Sequence, residues 1–201
     1  MGYLGASDGT SDRRPPYHHL PPMEKDGCAP IDLHHALTQS FGGLRIDLGG
    51  LWQRARPIQI CGASALCLSP EDLLLHLTLH VSHGHGFQVP IRSLYDIAAV
   101  LDRHRDSLNW TQVAALANRE GSSRYVYCTL RVVDRLFSPS MPNEELERLT
   151  HSEADREVVD LASRYIEAGA PPMPLLYRNL VDGTTWGDRF EVLRRRLCSG
   201  N

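Results

Sequence analysis

The chain of 201 residues is long enough to bury one real core, and its 42% hydrophobic and 22% charged residues are ordinary for a globular protein. A net charge of −3 argues against a broad nucleic-acid-binding face, and no apolar run approaches the ~20 residues of a membrane span. Five scattered cysteines (Cys28, Cys61, Cys67, Cys128, Cys198) without a Cys-x-x-Cys pair suit reduced thiols, and no secretory segment follows Met1, so a cytoplasmic protein is expected.

Residues 1–16, polar and rich in Gly, Ser and Asp, read as a flexible leader. Residues 17–68 then read as a small β portion of short alternating runs broken by Gly and Pro. In "PIDLHHAL", strand periodicity puts Ile31, Leu33 and His35 on one face and Asp32 and His34 on the other. The pairs Gly42-Gly43 and Gly49-Gly50 read as turns. Cys61 to Ser64 reads as the turn of a hairpin.

From Ser69 the period becomes helical, and residues 69–201 are expected to form a helical portion packed with the β portion as one domain. Ser69 is a cap, Pro70 occupies the first helical position, and Glu71 and Asp72 fill the first turn. Gly84 and Gly86 end that helix. The next carries Ile91, Leu94, Ile97, Ala98 and Leu101 on its apolar stripe, flanked by an Arg92–Asp96 pair at i, i+4. Another runs from the Asn109 cap to Gly121, and a fourth follows until Pro139 and Pro142. Further helices are expected in "SEADREVVDLASRYIEAG" and "WGDRFEVLRRRL", where Arg194, Arg195 and Arg196 suit a helix C-terminus on a solvated face. The class is α+β: a small mixed or antiparallel sheet followed by a helical bundle.

The stretch "LLLHLTLHVSHGHGF" holds four of the ten histidines. On a regular helix His76, His80 and His83 fall within about 60° of one another, with Asp72 one turn earlier. Leu74, Leu77 and Val81 face the opposite way, toward the core. A zinc-protease helix needs Glu after the first histidine, where this chain has Leu77. Three readings stay open: a metal site of His76, His80 and a carboxylate, a hydrogen-bonded seam between packed layers, or a wall facing a pocket.

The ordered pieces Asp32-Leu33-His34, Trp52-Gln53-Arg54-Ala55, Ser69 to His76, His80, Leu94-Tyr95-Asp96 and Asn109-Trp110 carry a resemblance. Over residues 17–139 the chain resembles the later part of a bacterial family of uncharacterised nucleotidyltransferase-like proteins, whose members often occur in gene clusters for peptides and other specialised metabolites. The resemblance implies a nucleotidyltransferase fold in which three carboxylates hold magnesium on the nucleotide phosphates. Asp32 matches the third acid. The Gly-rich turn and Asp-x-Asp strand that bring the first two have no match in residues 1–30, and Glu24 and Asp26, in a Pro/Gly context, do not supply them.

The expectation is therefore a truncated, degenerate member repurposed as a tailoring enzyme, with metal-free acid–base catalysis (cyclisation, isomerisation or elimination) on a small organic or peptide intermediate. Asp32, His34 and His80 are the catalytic candidates. His76, His83, Arg92, Tyr95 and Asp96 are candidates for holding substrate, with no metal ligand and no cofactor assigned. No nucleic-acid or membrane partner is expected, and a homodimer would cover the sheet edge that the absent half leaves open. Three other readings are a ligand- or partner-binding module, a transferase completed by carboxylates of another chain, and a metal-dependent hydrolase.

Overall fold

The computed structural model describes residues 4–5, 20–37, 44–139, 141–149 and 151–167. Outside them lie the Gly42-Gly43 turn, the expected last helix with its three arginines, and Cys198. Contacts divide the chain into two units, residues 1–41 and residues 42–201.

In the first unit, β1 (Leu4–Gly5) pairs antiparallel with β2 (Met23–Glu24). The chain turns at Asp26-Gly27, where Gly27 takes φ +71°, a region open to glycine at little cost. It comes back antiparallel, Met23 and Ile31 exchanging backbone hydrogen bonds of 2.8 and 2.9 Å, and Leu20 donating to the Leu33 carbonyl at 2.8 Å. The expected strand through residues 31–35 is thus corrected: Ile31 makes an isolated bridge and no continuous ladder follows. Ile31 and Leu33 are exposed, so no buried face enforces strand alternation here.

The second unit opens with α1 (Leu48–Arg54), which corrects the reading of Gly49-Gly50 as a turn. Two glycines in seven residues oppose helix formation on propensity. The helix is rescued by its cap, the Asp47 carboxylate accepting from the Gly50 N–H at 2.9 Å. A Cβ at Gly50 would crowd the Asp47 carboxylate and stand 2.7 Å from the Arg54 guanidinium, so a side chain there would displace the cap and the arginine.

The hairpin follows as expected, β3 (Arg56–Ile60) against β4 (Ala63–Cys67), and its turn narrows to Cys61-Gly62. Both turn residues have positive φ, +51° and +82°. That is the two-residue geometry whose twist matches the strands it joins.

The remaining elements are α2 (Pro70–Leu79), a π-helical turn (His80–Gly84), α3 (Ile91–Arg103), α4 (Trp110–Glu120), α5 (Ser123–Phe137), α6 (Asn143–Glu147) and α7 (Glu153–Glu167). Caps act where the sequence puts them. Ser69 Oγ accepts from the Asp72 N–H at 3.1 Å, Asn109 Oδ1 from the Gln112 N–H at 3.0 Å, and Gly121 closes α4 in the left-handed region. Glu71 ties two helix starts together by accepting from the Asn109 N–H at 3.0 Å. The short α6, between Pro142 and Arg148, is additional to the expected helices.

α5 is the central helix, packing on α2, α3, α4, α7 and the π turn. Leu74, Leu94, Ile97, Leu101, Val126 and Leu130 fill the core between them. Leu74 and Val81 are buried and Leu77 partly so, as the helical period requires. Ile91, expected on the apolar stripe of α3, is exposed at the helix start instead. Among the described residues no helix is long and apolar enough to cross a membrane.

Candidate functional site

The histidine stretch is not one regular helix. α2 ends at Leu79, and the His85 N–H donates to the His80 carbonyl at 3.1 Å, the i to i+5 bond of a π turn. A local cause is visible at Thr78, whose carbonyl accepts the hydroxyls of Ser82 at 2.7 Å and of Thr129, from α5, at 3.2 Å. Hydroxyls competing for a helix carbonyl loosen the ladder and bend the helix. The chain then passes through two successive left-handed residues, Gly86 (φ +55°) and Phe87 (φ +63°). Phe87 is only 5% exposed, and burial of its ring holds this unfavourable backbone in place.

The extra residue in the turn redistributes the histidines. His76 and His80 stay neighbours, ring centroids 6.2 Å apart, and His85 comes edge-on against His80 at 4.5 Å. His83 leaves the expected seam. It is 1% exposed and packs edge-on against Tyr125 of α5, with centroids 5.0 Å apart. The row is therefore His76, His80 and His85, with His85 solvent-exposed.

Asp72, one turn before His76, is taken up by a structural task. Its carboxylate, 1% exposed, accepts two hydrogen bonds from the Arg54 guanidinium, both 2.8 Å, and one from Ser69 Oγ at 2.8 Å. The interaction raises the Arg54 pKa further above its ordinary value, chiefly through the hydrogen bond to Asp72. Nearby, Glu120 accepts weakly from the Asp47 N–H at 3.4 Å. Burial pushes its carboxyl above the usual range, opposed by that N–H and by Arg119.

The other candidates fall in both units. Asp32 and His34 stand together in the first unit, Nε2 of His34 being 3.4 Å from Oδ2 of Asp32, both open to solvent. His76, His80 and His83 belong to the second unit. Arg92, Tyr95 and Asp96 share the exposed side of α3, and the expected Arg92–Asp96 pair does not form: neither makes an ion pair among the described residues. Tyr95 reaches the Phe137 ring edge-on at 6.0 Å.

Sequence reasoning missed a groove of about 600 Å³ between α5, α6 and α7, whose lining includes Tyr127, Arg131, Arg135, Glu147, Arg156 and Asp160. Its signal is readable only in retrospect, as Tyr127 and Arg131 at i, i+4. Arg131 lies over the Tyr127 ring at 5.6 Å and pairs with Glu147 at 2.6 Å, while His151 stacks flat on the same ring at 3.9 Å. Most of its charges are engaged with one another, which suits helix-to-helix fastening.

Among the described residues no three His, Cys, Asp or Glu side chains are grouped to hold an ion, and the His34 ring stands beside the Asp32 carboxylate.

Residues 1–138 match the model of a family described as uncharacterised nucleotidyltransferase, so the match ends at the C-terminus of α5. No curated protein and no solved structure matches the chain.

Proposed function

Because the chain belongs to the uncharacterised nucleotidyltransferase family, we propose that it is a repurposed member that moves protons on a small organic or peptide intermediate of a specialised-metabolite pathway. The observation that supports this reading is the Asp32–His34 pair, 3.4 Å apart and solvent-accessible. Histidine is the side chain suited to exchanging protons near neutrality, and a carboxylate at one ring nitrogen orients the imidazole and balances its charge when protonated. His34 is the acid–base group and Asp32 its positioning residue. The reactions such a pair serves are isomerisation, cyclisation and elimination, in which a proton leaves one substrate atom and is returned to another or to a leaving group.

The test has two arms. Purified protein with magnesium and each nucleoside triphosphate should release no pyrophosphate. A producing strain carrying His34→Gln should accumulate an intermediate that the wild-type strain converts to an isomer or to a product of water loss, with Asp32→Asn slowing the conversion. Magnesium-dependent pyrophosphate release, or identical metabolite profiles in wild-type and His34→Gln strains, would contradict the reading.

A further inference from the structure

We propose that His80 and His85 form a binding site for one divalent transition-metal ion of the zinc, copper or nickel class, with His76 as the nearest third donor. The inference is independent of the Asp32–His34 reading, since it concerns different residues in the other unit.

The π turn sets the placement of these histidines. Residues five apart on a regular α-helix point to different sides, because each turn takes 3.6 residues. The sequence alone therefore pairs His80 with His76 and His83, and leaves His85 out. The i to i+5 hydrogen bond from the His85 N–H to the His80 carbonyl, at 3.1 Å, places these two residues on the same side. Their rings meet at 4.5 Å. Single π turns inside α-helices recur at functional sites, because they re-aim side chains that a regular helix would separate.

This placement has a cost. Phe87 holds φ +63° directly after Gly86 at +55°. A bulky residue in that region is strained, and such strain clusters at functional sites. The same turn sends His83 into the core against Tyr125, where it is closed to solvent. The backbone thus sorts the histidines into one that packs and three that line up.

Coordination chemistry fits the row. Neutral imidazole is a good ligand for zinc, copper and nickel. With metal–nitrogen bonds of about 2.0–2.1 Å, two imidazoles sharing one ion keep their ring centres about 4.5 to 6.5 Å apart, the range running from adjacent to opposite positions. The observed spacings are 4.5 Å for His80–His85 and 6.2 Å for His76–His80. Among the described residues no third His, Cys, Asp or Glu completes a preformed cage. The site is accordingly an open one, with two protein ligands and water in the remaining positions. His76, its ring centre 6.2 Å from that of His80, is the third imidazole of the row.

Calorimetric titration of the full chain with zinc chloride, and cobalt absorption as a spectroscopic readout, test this directly. The expected result is saturable binding of one ion per chain, weakened at least tenfold in His80→Gln and in His85→Gln and unchanged in His104→Gln. His85 is exposed, so its replacement leaves the fold intact, which circular dichroism checks. Absence of saturable binding to the wild-type chain would overturn the proposal. So would equal affinity in His85→Gln and wild type, or a loss in His104→Gln as large as that in His85→Gln.

Discussion

Residues 69–79 and residues 80–87 follow one another along a helix, its π-helical end and the turn that closes it, yet the two halves are built differently. The first half follows the local rules of a helix start. Ser69 caps it, Pro70 leads it, and Asp72 is locked to Arg54 and Ser69. The second half departs from those rules. It widens into a π turn, buries His83, brings His85 onto His80 and passes through two left-handed residues. Where the polar groups are saturated by partners, the residues explain stability; where the backbone is bent to re-aim side chains, they point to chemistry.

The strongest way to break the comparison is to remove the anchor of the first half. Arg54→Ala leaves the buried Asp72 carboxylate without its charged partner and should cost roughly 3–5 kcal/mol in denaturant unfolding. Asp72→Ala, which leaves a guanidinium with access to solvent, should cost less. A loss below about 1 kcal/mol in both would show that the pair is not the structural fastening described.

Within the second half, two neighbouring histidines should behave oppositely. His83→Ala removes a buried ring from the Tyr125 contact and should destabilise by about 1–3 kcal/mol. His85→Ala, at the surface, should stay within about 0.5 kcal/mol. Equal losses would mean that the π turn does not separate a packing histidine from a ligand histidine.

The smallest effect concerns pH. Burial holds the Glu120 carboxyl above its unfolded value, so the folded state keeps that proton to a higher pH than the unfolded chain does. Stability contributed at this site therefore falls as pH rises from the ordinary glutamate range, about 4.3, through the folded value. Relative to wild type, Glu120→Gln should gain a fraction of a kcal/mol as pH rises through this range, read from unfolding midpoints. A variant that instead loses stability relative to wild type over the same range would contradict the stated sign.

Much of the helical unit was legible because its signals are local. Ser69-Pro70, Asn109 and Gly121 mark helix ends by capping chemistry, and Cys61-Gly62 supplies the left-handed pair of a tight hairpin. What stayed hidden depends on partners distant in sequence. Gly49-Gly50 become helical through the Asp47 cap, whose carboxylate also meets Arg119 at 3.5 Å, and no propensity scale anticipates that. The π turn involves Thr129, fifty-one residues beyond Thr78, so a regular 3.6-residue wheel misassigns both His83 and His85. The expected strand at residues 31–35 does not extend into a ladder, since exposed Ile31 and Leu33 provide no buried face for one. The expected placing of Asp32 and His34 on one side holds, their side chains standing 3.4 Å apart.

The most direct test of the division within the histidine helix is a nitrogen-15 spectrum of the imidazole rings recorded as zinc is added to the full chain. The account predicts that ring resonances of His80 and His85 shift together and saturate at one ion, followed by His76, while His83 keeps its position in the core. Shifts of His83 equal to those of His85, or none at His80 and His85, would contradict it.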